Sequence, residues 1–326
     1  MKPISFILLV TFLIFSSSKP PTPENPFPTF LTLTIPILKR IDENTFVSDT
    51  ERLESSLVRW LEASACDLIA VHTWTAYSQI DELLTKVNGI IFQGNDQLID
   101  TDSSYYKTAQ YIYTKVIEIY DNTEGKERIP IVAFGNDLSM LLSFTRDNNS
   151  HLSFIQQIQL LRSTEILFNR DVLSTSVIFS QLSEKDYRSL EFLCLLPHEL
   201  KYTVNPNVIE VWEHFANVFE LIGTSEALNG MKFASVVEGK KYPLFGVSFK
   251  PFVLAFSRNK KIEIVNTYKA IKISRFIGNA IVFYGREMNS NRMTMEEKLN
   301  YDFVDTVNVM PTIVDAKYQY IYKRKK

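Results

Sequence analysis

Short apolar segments alternate with longer segments of helical periodicity through the first half of the chain, and no other feature limits the possible folds more strongly. The apolar segments are rich in β-branched and aromatic residues and too short for typical helices, which indicates buried strands. They lie at residues 30–38, 67–72, 89–92 and 129–134. Strands that alternate with helices form a mostly parallel sheet, because each crossover helix buries its apolar side against that sheet. We therefore predict an α/β fold with a mostly parallel central sheet and helices on both faces.

The helices between these strands are indicated by apolar residues spaced three and four positions apart. The first is predicted to follow the capping-box sequence Ser48-Asp49-Thr50-Glu51, where the serine and glutamate side chains would each bond the other's backbone N–H. Further helices are predicted at residues 78–87 and 104–120, and from about Leu138 onward, after a turn at residues 135–137.

The second half of the chain has a different pattern. Three strand-like segments at residues 218–224, 232–238 and 244–249 follow one another closely, with glycine-containing turns between them. They predict an antiparallel extension that leads back into the sheet. An amphipathic helix is predicted at residues 267–286. With no repeat and no linker in mid-chain, we predict one domain over residues 30–290 and a C-terminal extension over residues 291–326.

The first 18 residues have the pattern of a secretory signal peptide. Lys2 precedes an apolar run at residues 4–15, and a run of serines follows at residues 16–18. The apolar run is shorter than the roughly 20 residues that a membrane-spanning helix needs. The alternatives are an uncleaved anchor or a buried strand. We expect a proline-rich leader at residues 19–29 and a mature chain without a membrane span, destined for the extracellular, lysosomal or vacuolar lumen.

Charge and cysteine content exclude several classes of function. The formal net charge is −2 and the only basic cluster is at residues 323–326, so we expect no nucleic-acid partner. Cys66 and Cys194 either pair in an oxidising compartment or remain small buried thiols. The four histidines show no ligand spacing with them, so neither a metal nor a cofactor is expected. Asn148 begins an Asn-Asn-Ser sequon in a polar loop and is a candidate glycosylation site.

Four separated segments carry a resemblance to a known family. They are SLVRWLEA at 56–63, VNGIIFQG at 87–94, YYKTAQYIY at 105–113 and EGKKYPLFGV at 238–247. In this combination and order they resemble the gamma-glutamyl hydrolase family, which has the class I glutamine amidotransferase-like, flavodoxin-like fold. The resemblance covers residues 30–286, and residues 150–203 align only loosely.

The resemblance implies a mechanism that needs three elements. A cysteine at a tight strand-to-helix turn attacks a γ-linked glutamyl amide. A histidine holds the thiol as thiolate and passes its proton to the leaving amine. Backbone N–H groups at this turn and at a glycine turn stabilise the oxyanion.

The chain departs from the family at each catalytic position. A gap-free match places Gly135 at the cysteine position, and a shift by two residues places Asp137 there instead. The two histidine positions are matched by Lys250 and Leu200, and the acidic position after the first histidine by Phe252. A lysine with its ordinary pKa of about 10.4 is a poor base at neutral pH.

Other residues near these positions are candidate replacements. Gly94 and Asn95 match the oxyanion turn, with Asn95 replacing a glycine. Ser139 and His198 are the candidate substitutes for the nucleophile and the base. Asp137 is predicted to be an N-cap whose carboxylate accepts free N–H groups of the following helix.

These departures favour a pseudoenzyme, which binds a γ-glutamyl or folate-like ligand, or a protein partner, without hydrolysing it. The alternative is an active peptidase that cleaves folyl or other γ-glutamyl polyglutamates and uses His198, His151 or His72 as its base. A third interpretation is a structural luminal protein that keeps only the core. Core packing, rather than pocket lining, is predicted for the aromatic residues near the sheet edge: Trp74, Tyr77, Tyr202 and Phe249.

Overall fold

A computed structural model describes residues 27–37, 39–40, 46–47, 49–95, 100–145, 152–256, 266–301, 312–314 and 317–323. The predicted signal peptide, most of the proline-rich leader, Asn148 and His151 lie outside the described residues, so these predictions stay as they are.

The elements follow the predicted alternation. The strands are β1 (Thr29–Leu33), β2 (Ile35–Pro36), β3 (Lys39–Arg40), β4 (Phe46–Val47), β5 (Thr50–Glu54), β6 (Asp67–Val71), β7 (Gly89–Phe92), β8 (Ile131–Phe134), β9 (Ile155–Thr164), β10 (Leu167–Phe168), β11 (Leu196–Val204), β12 (Phe219–Glu226), β13 (Lys232–Gly239), β14 (Leu244–Val247), β15 (Thr312–Val314) and β16 (Lys317–Lys323). The helices are α1 (Ser55–Glu62), α2 (Tyr77–Leu84), α3 (Ser104–Asn122), α4 (Asp137–Ser143), α5 (Arg170–Leu173), α6 (Glu184–Phe192), α7 (Pro206–Val211), α8 (Glu213–Ala216), α9 (Val253–Phe256), α10 (Tyr268–Met288) and α11 (Met295–Asn300), with a 3-10 turn at Leu152–Phe154.

The central sheet has the strand order β10-β12-β13-β14-β8-β7-β1-β6 within the described residues. The strands from β14 to β6 are parallel, and β14 pairs with β8 in the register Leu244 to Ile131. Strands β10, β12 and β13 continue the sheet antiparallel from β14. The predicted parallel sheet with an antiparallel extension is confirmed.

Both faces of the sheet are covered, because successive residues of a strand point to opposite sides. Ile91 of β7 packs in a core cluster with residues of α1 and α10, including Trp60 and Ile277. Its neighbours Ile90 and Phe92 pack in a second cluster with residues of α2, α3 and α4. Two helical layers therefore sandwich the sheet, as predicted.

The predicted start of the first helix is wrong. Thr50–Glu54 forms β5, which pairs with β2 and with β16, and α1 begins only at Ser55. The N-cap of α1 is Glu54, without a side-chain cap hydrogen bond. The Glu51 side chain is fully buried and accepts hydrogen bonds from Thr34 and Thr73, so it is not available for a capping box. Pairing with two distant strands has prevailed over a local capping preference.

Smaller sheets complete the architecture. β9 and β11 form an antiparallel pair, and β11 is also joined to the chain after β14 by a bridge between His198 and Phe249. β15, β16, β5 and β2 form a second sheet. Within the described part of the chain, no helix is both long and apolar enough to cross a membrane. Cys66 and Cys194 are free thiols, so no disulfide joins them.

Candidate functional site

The turn between β8 and α4 is built around Gly135. Its φ angle is +57°, in the left-handed region that L residues with a Cβ rarely adopt. The Gly135 N–H donates to the Val247 carbonyl at 2.8 Å, so the turn is anchored on β14. The chain thus keeps a tight strand-to-helix turn at the carboxyl edge of the sheet, the geometry that presents nucleophiles in related folds, although the turn residue is a glycine.

Asp137 lies at the first position of α4 and points away from its own helix. Its Oδ2 accepts hydrogen bonds from the Gly94 N–H at 2.8 Å and from the Tyr105 hydroxyl at 2.8 Å. The predicted N-cap role is therefore wrong: Asn136 is the N-cap and makes no side-chain cap hydrogen bond. Burial raises the pKa of Asp137 to about 6, although the two hydrogen bonds act in the opposite direction. The N–H of the glycine turn, which the family resemblance assigns to the oxyanion, is occupied by a side chain of the protein itself.

Asn136 fixes the backbone around this contact. Its Nδ2 donates to the Asn95 carbonyl at 2.8 Å. Its Oδ1 accepts from the N–H groups of Lys201 and Tyr202 at 2.9 and 3.0 Å. One buried amide therefore ties together the glycine turn, the β8–α4 turn and β11.

Lys250 lies across both glycine turns. Its Nζ donates to Glu54 Oε1 at 2.9 Å and to the Gly94 carbonyl at 3.0 Å, and it lies 3.6 Å from Glu199 Oε2. Burial alone would lower the pKa of Lys250, but the charges of Glu54 and Glu199 outweigh it and hold this pKa above its ordinary value. Lys250 is therefore charged near neutral pH and has no free electron pair with which to act as a base.

The Lys250 side chain also fills the space in front of the β8–α4 turn. A β-carbon at position 135 would lie 3.3 Å from Lys250 Cε, and one at position 94 would lie 2.5 Å from it. Gly94 has a φ angle of +92°, so backbone conformation and space both require glycine there. The cleft between the two turns is occupied by the lysine stem.

The other two positions that match family catalytic residues belong to the core. Phe252 is fully buried, with its ring centroid 5.3 Å from that of Phe134 and 6.1 Å from that of Trp60. Leu200 is buried on β11 opposite Leu160. Neither side chain can exchange a proton.

The two candidate substitutes are buried as well. The Ser139 hydroxyl has no hydrogen-bond partner among the described residues. The His198 ring lies near Phe233 and Phe249, with its Nδ1 3.2 Å from Thr164 Oγ1 and 3.1 Å from the Leu196 carbonyl. Burial lowers the pKa of His198 to about 3, so the ring stays neutral.

Sequence reasoning missed two partners in this cleft, Tyr105 and Glu54. In the sequence, Tyr105 stands out only as part of a helical motif, and Glu54 falls within a predicted helix. No local pattern indicates that either side chain reaches a turn in a distant element. Within the described residues, no group of three or more His, Cys, Asp or Glu side chains could hold a metal ion.

The four aromatic residues near the sheet edge differ in burial, and Tyr202 is half-buried. Phe249 is fully buried, as predicted, whereas the prediction fails for Tyr77, which is 45% exposed and stacks on Tyr111. Trp74 is half-buried and borders a cavity, contrary to the prediction of core packing.

Comparison with known proteins gives a consistent set of relatives. The chain is 20% identical to a gamma-glutamyl hydrolase of Glycine max, over 78% of this chain and 72% of the relative. It is 23% identical to gamma-glutamyl hydrolase B of Dictyostelium discoideum, over 83% of this chain and 76% of the relative. Gamma-glutamyl hydrolase of Rattus norvegicus is 24% identical, with 77% of each chain covered. No protein-family profile matches the chain.

Among solved structures, the chain is similar to a Thermoplasma acidophilum protein provisionally assigned as a subunit of GMP synthase. The TM-score is 0.46 at 11% identity, over 79% of this chain and 96% of that one. The three sequence relatives are all gamma-glutamyl hydrolases, and each matches about three quarters or more of this chain. The chain is thus similar in sequence to gamma-glutamyl hydrolases over most of its length.

Proposed function

We propose that this chain is a catalytically inactive gamma-glutamyl hydrolase-like protein of the secretory pathway, which acts by binding rather than by hydrolysis. The observation that carries this proposal is the hydrogen bond from the Gly94 N–H to the Asp137 carboxylate. Catalysis of acyl transfer requires N–H donors that are free to bind the oxyanion as its charge develops.

An ionised Asp137 opposes hydrolysis in two ways. It occupies the donor that the oxyanion would need, and its negative charge repels a second negative charge in a buried site. The pKa of about 6 leaves the carboxylate mostly ionised at neutral pH. Substrate would have to displace a carboxylate that is also bonded to Tyr105.

The nucleophile and the base of the family mechanism are missing as well. Gly135 supplies no nucleophile, and Lys250 supplies no base because Glu54 and Glu199 keep it protonated. Each replacement has a partner, since Lys250 bonds Glu54 and Asp137 bonds Gly94 and Tyr105. An ordered set of substitutions of this kind supports a retained binding role, for a γ-glutamyl or folate-like ligand or for a protein.

Turnover is the direct test. Purified protein is incubated with a chromogenic γ-glutamyl substrate and with pteroyl-polyglutamate, beside the rat relative as positive control. We expect no turnover above background, and saturable binding of one of these ligands by calorimetry. Turnover that survives a cysteine-blocking reagent and is lost in Ser139→Ala or His198→Ala would overturn the proposal.

A gain-of-function series sharpens the test. Gly135→Cys restores a thiol but leaves Asp137 on Gly94 and Lys250 across the turn, so we expect it to stay inactive. The same substitution combined with Asp137→Leu and Lys250→His frees the donor and returns an imidazole. Activity in Gly135→Cys alone would show that the occupied donor is no obstacle and would contradict the argument.

The secretory destination is proposed on the sequence of residues 1–18. Expression of the full chain and of a form without these residues tests it. We expect only the full chain to leave the cytoplasm, with its N-terminus processed near residue 18. Equal retention of both forms would refute this part of the proposal.

A further inference from the structure

We propose that a cavity at the carboxyl end of β6 binds a small planar ring compound that donates a hydrogen bond to His72. The cavity has a volume of about 350 Å³, and Trp74, Gln79, Tyr301 and Tyr322 are among the residues that border it. This volume falls in the range of small-molecule sites. Ligands of open α/β sheets bind outside the carboxyl ends of the strands. β1 separates β6 from β7, so this cavity is distinct from the cleft at Gly94.

A fully buried carboxylate lies behind His72. Glu51 Oε2 is 3.0 Å from His72 Nδ1 and also accepts from the Thr34 hydroxyl. Glu51 Oε1 accepts from the Thr73 hydroxyl, and from the Thr73 N–H at 3.1 Å. Four donors directed at one buried carboxylate satisfy its acceptor positions and fix its orientation.

The carboxylate determines which ring nitrogen of His72 carries the proton. A carboxylate oxygen accepts hydrogen bonds, so the 3.0 Å contact favours the tautomer in which Nδ1 donates to Glu51 and Nε2 offers a lone pair. The Trp74 ring stacks on the imidazole with a centroid distance of 4.8 Å, and the Tyr322 ring lies 4.6 Å away at a steep angle. These contacts hold the ring in one orientation.

The Nε2 edge of the ring is left for a ligand. His72 borders the cavity, and its side chain is 24% exposed. All its ring hydrogen bonds to described residues are made by Nδ1. A fixed hydrogen-bond acceptor therefore lies at the wall of an aromatic cavity.

The chemistry of the walls selects the ligand class. Trp74, Tyr301 and Tyr322 offer aromatic surface, on which planar rings stack favourably. Among the described residues that line the cavity there is no lysine or arginine, while Glu51 places a negative charge behind the acceptor. An anion would meet this charge without a cationic partner. A heteroaromatic ring with an N–H or amino donor, neutral or cationic, complements both the stacking surface and the acceptor.

The test uses 2-aminobenzimidazole as the donor probe and benzimidazole-2-carboxylate as a ring of similar shape with an anionic group. Binding is followed through the ¹⁵N chemical shift of His72 Nε2. Ala76 is exposed at the cavity rim and Ser78 is exposed on α2 outside it, so Ala76→Phe and Ser78→Phe form a matched pair. Neither substitution touches the Glu51–His72 pair.

We expect saturable binding of the donor probe with a shift at Nε2, at least about tenfold weaker in Ala76→Phe and unchanged in Ser78→Phe. No binding at millimolar concentration, tighter binding of the carboxylate, or equal affinity in the two variants would each overturn the proposal. The site shares no residue with the cleft, so failure here leaves the proposed function intact, and the reverse also holds.

Discussion

Asp137→Asn should change how the stability of the protein depends on pH. The folded-state pKa of about 6 lies above the ordinary value of 3.8, so the folded protein retains a proton that the unfolded chain has released between these values. The contribution of Asp137 to stability is therefore fully present below pH 3.8 and is lost as the pH rises to about 6. A shift of roughly two pKa units corresponds to about 3 kcal/mol in total.

Asparagine keeps an oxygen that can accept from the Gly94 N–H but does not titrate. The free energy of unfolding of Asp137→Asn should therefore increase relative to that of the wild type as the pH rises. Part of the Asp137 contribution to stability is already lost at about pH 4.5. The free energy of unfolding of Asp137→Asn minus that of the wild type should therefore increase by about 2 kcal/mol between about pH 4.5 and about pH 7.5.

Urea unfolding followed by circular dichroism at several pH values measures this gap. Asp102→Asn is the matched control, because the Asp102 side chain is 90% exposed, and it should give a nearly constant difference. A gap for Asp137→Asn that stays constant within about 0.5 kcal/mol would refute the reasoning, since a pKa shift must appear as a change in stability.

Three further predictions concern the same framework. Lys250→Met should destabilise the fold by about 3–5 kcal/mol because it removes one member of the buried ion pair with Glu54. The double variant with Glu54→Gln should recover much of this loss in urea unfolding, and no recovery would contradict the ion-pair argument. Gly135→Ala and Gly230→Ala should each cost about 1–2 kcal/mol, because both residues have a left-handed backbone conformation. Of these two positions, only 135 would place its β-carbon 3.3 Å from Lys250 Cε, so Gly135→Ala should lower the melting temperature more than Gly230→Ala. Equal losses would exclude a constraint from Lys250. Burial raises the pKa of the Cys66 thiol, so Cys66 should resist a maleimide in the native protein and react only after denaturation. Mass spectrometry measures the reaction, and failure to react even after denaturation would indicate a disulfide.

Sequence periodicity predicted those elements whose formation depends on local patterns. The strand Gly89–Phe92 was predicted with its observed bounds, because a continuous apolar run followed by a turn has few alternatives. The long helix was predicted at residues 267–286 and observed at Tyr268–Met288, where the Thr267 side chain accepts from the Ala270 N–H at 3.2 Å. Both segments bury a face that is visible in the sequence.

Contacts between distant elements could not be predicted in this way. Thr50–Glu54 overlaps the helix-start signal Ser48-Asp49-Thr50-Glu51, yet it pairs with strands on both sides, one of them Lys317–Lys323. The sequence shows that a thiol and histidines are missing, but it does not show that Asp137 reaches Gly94 or that Lys250 reaches Glu54. Such pairs depend on how the sheet brings strand ends together, and only the three-dimensional arrangement specifies them.

The pairing of β16 with β5 has a consequence for how the protein folds in time. β5 leads directly into α1 and carries Glu54, the partner of the buried lysine. Its neighbour Lys317–Lys323 is among the last described residues to leave the ribosome. The early strand must therefore wait, with one edge unpaired, until β16 has been synthesised, and pairing between strands so far apart in the sequence is slow. Chaperones should therefore bind this unpaired edge during synthesis. Truncation before residue 317 should destabilise the N-terminal half of the chain first.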